Sequence, residues 1–291
     1  MSRKVFLERL DTKSLYSEVY KAEGYDYGGV MAKAKRDDGL DGQAQDPKLS
    51  KVKAYIRLYG IGDGERVVEV GCGLGHLNSC HRNWEGLEYS ATAVQLAKEI
   101  HGESLRIIEA DARALPIETC TVDFLFSFAA LEHVPDVEKA FFEIKRVLKP
   151  NGLAMLAPAW NCRPWTVKKL QQRPYSELGI IQKLEKFLIP MRNHLAYRMI
   201  LVVPVRLMRE ILLAVGSSPM VLQYRKLEPD FSLWDRYPHI SDDDAFVSID
   251  AHAALTYFAS RNWEILSHPT IVRRLICRGE EIVVRKPGLS A

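Results

Sequence analysis

The chain has 291 residues, 47% hydrophobic and 26% charged, with 40 basic against 37 acidic side chains and a net charge of +3. That balance excludes a disordered or collagen-like chain and gives no global pull toward nucleic acid. At ~150 residues per domain the length corresponds to about two domains, enough to bury a core without disulfide or metal staples.

The first ten residues carry charges where a signal peptide needs an apolar run. The longest apolar stretches, 153–160 and 199–205, fall far short of the ~20 residues that span a bilayer. The five cysteines (Cys72, Cys80, Cys120, Cys162, Cys277) form no Cys-x-x-Cys pair, which argues against a zinc ribbon or a thioredoxin-like site. The expected location is the cytoplasm, at most peripheral to the inner membrane face.

Residues 1–60 read as an N-terminal helical cap with a tyrosine cluster (Tyr16, Tyr20, Tyr25, Tyr27) and a polar loop over 36–47. Residues 61–160 alternate short β-rich runs with helical patterns. Strands are predicted at 66–70, at a weaker run closing on Leu87 and Glu88, and at 105–109, 123–128 and 153–157. Helices are predicted at 91–100 and after Asp136, where Val137, Ala140, Phe141, Ile144 and Val147 recur at helical spacing. The fourth run is apolar enough to be buried on both faces, as parallel sheets require. The alternation predicts a doubly wound α/β sheet.

Residues 161–244 have little strand character. Leu195, Met199, Val202, Leu207, Met208, Ile211 and Leu212 fall at helical spacing, broken by Pro190 and Pro204. A helix over 251–260 capped by Asp250 follows, then β-rich runs at 263–266, 271–277 and 280–285, with Arg278 and Gly279 read as a hairpin turn. The expected domains are the cap (1–60), a core (61–160 with 245–288) and a helical insertion (161–244).

The strongest motif is Val67-Val-Glu-Val-Gly-Cys-Gly-Leu-Gly75. Gly71, Gly73 and Gly75 let the backbone leave a strand through positive φ and approach a ligand closely. His76 stands where a dinucleotide fingerprint wants its third glycine. Glu69, two positions before the first glycine, would repel a diphosphate and suit a cation. Glu88, ending the second strand, is placed to accept both hydroxyls of a ribose. Adenine, ribose and a cationic amino-acid tail without phosphate describe S-adenosylmethionine.

With Gly86-Leu-Glu-Tyr-Ser90, Asp111-Ala112, Leu131-Glu-His-Val-Pro-Asp136 and Arg146-Val-Leu-Lys-Pro-Asn-Gly152 in order, the chain resembles the class I S-adenosylmethionine-dependent methyltransferases, type 11-like. The resemblance implies a Rossmann-like doubly wound sheet with an antiparallel last strand, and a helical lid inserted after the fifth strand. Gly71, Gly73 and Gly75 would line the methionine tail, with Glu69 near its ammonium. Glu88 would hold the ribose, Asp111 and Ala112 the adenine, and Phe128 would bring its backbone to the tail. Tyr89 either covers the adenine or packs on the sheet edge. Glu69 also fits a capping role and Asp111 a turn. The short interval between Gly75 and Glu88 predicts a short first helix and leaves the ribose contact open.

The base candidates are His133, after the fourth strand, and His239, beside Asp242, Asp243 and Asp244. His133 equally fits a loop-fixing role, and the three carboxylates fit a solvated turn, so no metal is expected. The absence of Asn/Asp-Pro-Pro-Tyr after the fourth strand argues against amide and adenine N-methylation. The expected partner is a small-molecule or glycan substrate methylated at oxygen, not nucleic acid. Residues 165–216 hold nine bases and three acids. This segment either lies on an anionic bilayer or packs its apolar face on the core with its arginines in water. Its ends, 224–230 and 248–250, are loosely similar to bacterial methyltransferases associated with cell-surface polysaccharides, which points to a lipid-linked or nucleotide-linked sugar. The alternatives are a quinone or natural-product methyltransferase and an inactive cofactor-binding scaffold.

Overall fold

The computed structural model describes residues 46–288 except 217, 235, 238, 239 and 241. The tyrosine cluster, most of the expected cap and the candidate base His239 lie outside the described residues. The described chain forms two compact units, one of residues 46–128 with 139–153 and the other of 129–138 with 154–288.

In the first unit, α1 (Pro47–Leu58) begins at Asp46, whose carboxylate accepts from Lys48 N at 2.7 Å. Next come β1 (Val67–Val70), β2 (Trp84–Glu88), α2 (Ala91–His101), β3 (Ile107–Glu109), β4 (Val122–Phe128) and α3 (Val137–Val147). β1 pairs in parallel with β2 and with β4, and β2 with β3. Val67, Val68, Val122, Phe124, Leu125 and Phe126 are fully buried, because a parallel strand has both faces covered. On α3, Val137, Ala140, Phe141, Ile144 and Val147 form the buried stripe that their spacing predicts. Glu143 accepts from Leu115 N at 2.8 Å while Arg146 donates to the Ile117 and Leu115 carbonyls, which ties the chain after β3 to this helix.

β5 (Leu148–Ala157) begins five residues earlier than predicted. Pro150-Asn-Gly152 lies inside it, with Asn151 at φ 65°, rather than forming a stop before it.

The second unit adds α4 (Pro164–Val167), α5 (Ile180–Asn193), α6 (Leu195–Val215), β6 (Tyr224–Lys226), β7 (Val247–Ile249), α7 (Ala251–Ala259), β8 (Glu264–Ile265), α8 (Ile271–Ile276) and β9 (Ile282–Arg285). β6 and β7 form a small antiparallel sheet, and β8 and β9 pair antiparallel. The strand order of the large sheet is β3-β2-β1-β4-β5-β9-β8. The order reverses between β1 and β4, so the crevice at their carboxyl ends is the switch point where open α/β sheets bind ligands.

Three local expectations are corrected. Residues 271–277 read as a strand but form α8, capped by Thr270, whose hydroxyl accepts from Arg273 N. The prolines do not interrupt the insertion: Pro190 and Pro204 lie within α5 and α6, and the break falls at His194, whose Nδ1 accepts from Ala196 N.

The third concerns α6, which is turned inside out. Arg206 and Glu210 are buried, at 5% and 6% exposure, while Ile200, Leu207, Met208, Ile211 and Val215 are exposed. Arg206 and Arg209 both bind the Asp250 carboxylate, and Arg274 and His252 both bind Glu210. Among the described residues no helix is long and apolar enough to cross a membrane.

Candidate functional site

The glycine loop leaves β1 with Gly71, Gly73 and Gly75 at φ 74°, 54° and 71°. All three are in the left-handed region, where a side chain would be strained. Gly71 N and Cys72 N both donate to the Leu87 carbonyl, which bends the loop over the end of β2. There the Glu88 carboxylate accepts from Gly73 N at 2.8 Å and from Ser90 N at 2.9 Å. Each carboxylate oxygen thus accepts a backbone donor, which ties the loop to the end of β2. The helix after β1 is a single 3-10 turn, Asn78–Cys80, as short as the spacing predicted.

Glu69 lies in β1, fully enclosed, and accepts from Trp84 Nε1 at 3.1 Å. Burial pushes its pKa up to about 8, against the pull of the Trp84 hydrogen bond and of Lys48; Glu88 adds a further upward push. Two carboxyl groups therefore underlie one glycine loop, and burial favours the protonated form of one of them, Glu69, near neutrality. Lys48 at the start of α1 also reaches Phe128 at the tip of β4, its ammonium 5.6 Å from the ring centroid.

Asp111 is held by its neighbour: Arg113 Nη2 lies 2.7 Å from Oδ2, and Arg113 N donates to Oδ1 at 2.8 Å. An adenine amino group would share this carboxylate with Arg113. Ala112, the next residue, and Tyr89, which follows Glu88, are both half-buried. Ser90, the residue after Tyr89, caps α2 by accepting from Ala93 N.

The expected cofactor residues Glu69, Gly71, Gly73, Gly75, Glu88, Tyr89, Asp111, Ala112 and Phe128 all belong to the first unit. The base candidate His133 belongs to the second, in the 3-10 turn Leu131–His133. Its Nδ1 is 3.4 Å from Asp244 Oδ2 and its Nε2 is 3.7 Å from Glu132 Oε1. Burial raises the Glu132 pKa, opposed by His133. The turn is fastened to the chain before β7 by Phe246 N, which donates to the Glu132 carbonyl at 2.9 Å. Asp243 pairs instead with the fully buried Lys169, so the three neighbouring aspartates do not act as one cluster. Among the described residues no group of three or more His, Cys, Asp or Glu side chains is arranged to hold a metal ion.

Sequence reasoning missed Lys48, Trp84 and Arg113, and placed Asp244 beside His239 rather than against His133. Only Ser90, a serine directly before a helical pattern, left a readable sign of its capping role.

The first unit fits S-adenosylmethionine. Three left-handed glycines bend the loop away from β1, and the two buried carboxyls beside it suit a cation: Glu69 within β1, and Glu88 at the end of β2, held by two backbone N–H groups. Residues 68–156 match the model of a family described as a methyltransferase domain. That match, with the parallel strand order and the glycine loop, supports reading this α/β segment as a class I S-adenosylmethionine-dependent methyltransferase domain, as its motifs implied.

Among characterised proteins, the chain is 36% identical over 117 residues to sterol 24-C-methyltransferase of Pneumocystis carinii, covering 36% of this chain and 31% of that protein. It is 30% identical over 121 residues to malonyl-[acyl-carrier protein] O-methyltransferase of Methylovorus sp., covering 37% of this chain and 40% of that one. The chain therefore spans well under half the length of these relatives. A solved amino pentose methyltransferase from Micromonospora echinaspora, with S-adenosylmethionine bound, aligns at a TM-score of 0.37 and 21% identity over 48% of this chain and 58% of that one.

Proposed function

We propose that the chain transfers a methyl group from S-adenosylmethionine to an oxygen of a small-molecule or glycan acceptor, with a lipid-linked or nucleotide-linked sugar as the favoured acceptor. The observation that carries the reading is Glu88, held between Gly73 N and Ser90 N at the carboxyl end of β2, the neighbour of β1. The relatives named for methylating a sterol and an acyl-carrier-protein thioester support a small-molecule acceptor.

S-adenosylmethionine, when bound, supplies an electrophilic methyl group on a sulfonium sulfur, so positioning the acceptor can provide much of the rate. Glu88 orients the ribose, the glycine loop admits the tail, and Glu69 gives up its proton to face the cation. His133 takes the proton of the acceptor hydroxyl, with Asp244 across its ring to stabilise the imidazolium. The insertion 161–244 acts as the lid that recognises the acceptor. The outward apolar face of α6 supports a peripheral contact with an anionic membrane.

The test is incubation of the full chain with methyl-labelled S-adenosylmethionine and sugar, lipid-linked sugar, quinone and phenol acceptors. Label in an alkali-stable ether on a sugar supports the reading. Transfer only to a quinone redirects it, and cofactor binding without transfer to any acceptor contradicts it in favour of a scaffold.

A further inference from the structure

The second unit contains a cavity of about 220 Å³ whose walls carry Arg163, Arg192, Arg206 and Arg225 and no acidic side chain. Four arginines around one small space do not arise from helix amphipathicity, and they come from four separate parts of the chain. Arg163 precedes α4, Arg192 ends α5, Arg206 lies mid-α6 and Arg225 is in β6.

Two of them are pre-oriented. The buried Trp165 indole receives the Arg192 guanidinium at 4.7 Å and that of Arg163 at 5.7 Å from its ring centroid. Stacking on one indole fixes the plane of each fork beside the cavity. Arg206 is held rigidly by the Leu275 and Cys277 carbonyls and by Asp250. That one carboxylate also serves Arg209, so a positive charge is left over at the pair. Arg225 is exposed at the rim and pairs only its backbone, opposite Ser248.

A concave surface lined by one sign of charge concentrates counter-ions, and the planar forks of Arg192 and Arg225 at such a space match phosphate oxygens bidentately, with the already bonded Arg206 adding its charge. We propose that this cavity binds a phosphate or diphosphate ester, and that it is the subsite for the phosphorylated part of the acceptor. The second clause rests on the methyltransferase reading; the anion site itself does not. A nucleotide-linked sugar and a lipid-linked sugar both present this group.

The experiment is calorimetry of the full chain with inorganic diphosphate, at low and at high salt. One equivalent is expected to bind, more weakly at high salt. Arg192→Gln and Arg225→Gln should each weaken binding by about tenfold or more, the usual loss for a charged hydrogen bond. Arg192→Lys, which keeps the charge but loses the fork, should also weaken it. Thermal melts confirm that each variant folds, and S-adenosylmethionine binding should be the same in all of them. Absence of diphosphate binding, or binding untouched by the three substitutions, overturns the anion site.

Parallel titrations with UDP-glucose and with a prenyl diphosphate in neutral vesicles separate the two sources. Tighter binding of one than of inorganic diphosphate identifies it, whereas neither binding more tightly overturns the acceptor assignment. Diphosphate binding in a protein that ignores S-adenosylmethionine would instead sink the methyltransferase reading and leave the anion site standing.

Discussion

Glu88 Oε2 accepts the backbone N–H of Gly73 at 2.8 Å, so the carboxylate that ends β2 also holds the loop that leaves β1. Its other oxygen takes Ser90 N at 2.9 Å, one residue before α2 begins. One side chain thus fastens three elements.

Substituting Glu88→Ala should therefore remove cofactor binding and lower stability together. Leaving two backbone donors without their carboxylate costs about 1–3 kcal/mol. Loss of the ribose contacts should weaken S-adenosylmethionine by a further 10- to 100-fold, on the scale of charged hydrogen bonds. Calorimetry and urea denaturation measure the two effects. A variant with unchanged affinity would remove Glu88 from the site.

The buried Glu69 makes the site pH-sensitive. Its pKa is raised by burial from 4.5 to about 8, so the folded protein holds a proton that the unfolded chain has released across that interval. Stability should fall as pH rises from about 4.5 to about 8, and Glu69→Gln should flatten the slope. A cationic ligand favours the ionised carboxylate. Cofactor affinity should therefore rise with pH toward 8, by at most about tenfold per pH unit, with a proton released on binding. The dependence of the calorimetric enthalpy on buffer ionisation reads that proton. Proton uptake instead would show that Glu69 does not face the cation.

His133→Ala should lower turnover by about 10²–10⁴-fold, the range for loss of a general base, with cofactor affinity unchanged. Asp244→Asn, which keeps the shape but loses the charge 3.4 Å from the ring, should lower turnover by a smaller factor. A fall in melting temperature with full turnover would assign His133 to holding its loop.

The buried ion-pair cluster of α6 should matter for folding rather than for chemistry. Hydrogen bonds from Arg274 and His252 outweigh burial and bring the Glu210 pKa down to about 2. Its stabilising contribution is present above pH 4.5 and is lost as pH falls toward 2. Glu210→Ala leaves Arg274 and His252 facing an empty partner position, which for buried pairs costs about 3–5 kcal/mol. Urea titration at neutral pH measures the cost. Against the same background, Ile200→Asp with Ile211→Asp should abolish flotation with anionic vesicles while leaving the melting temperature near that of the parent. A parent chain that does not float would exclude membrane contact.

The cofactor side of the molecule was legible because its signals are local. Three glycines at alternate positions announce a loop that must reach positive φ, and the short span from Gly75 to Glu88 leaves room for only a 3-10 turn. What was not legible depends on contacts between distant segments. Lys48 on α1 reaches Phe128 at the far end of β4, and Glu69 meets the Trp84 indole through the pairing of β1 with β2. Asp244 is brought to His133 by the backbone bond from Phe246 to Glu132. Residues 271–276 carry apolar pairs flanking two arginines, a pattern that fits a strand and a helix equally. On α6 the periodicity was read correctly, and its direction stayed open between an outward and an inward apolar face. Hydrophobic spacing marks a face, but the buried partners Asp250 and Glu210 decided that the arginine face turns inward.

The most direct measurement is calorimetry of the purified chain with S-adenosylmethionine, S-adenosylhomocysteine and NADH. A loop shaped for a sulfonium compound predicts one saturable site for the first two and no heat with NADH. Saturable NADH binding with silence toward both adenosyl compounds would contradict the account.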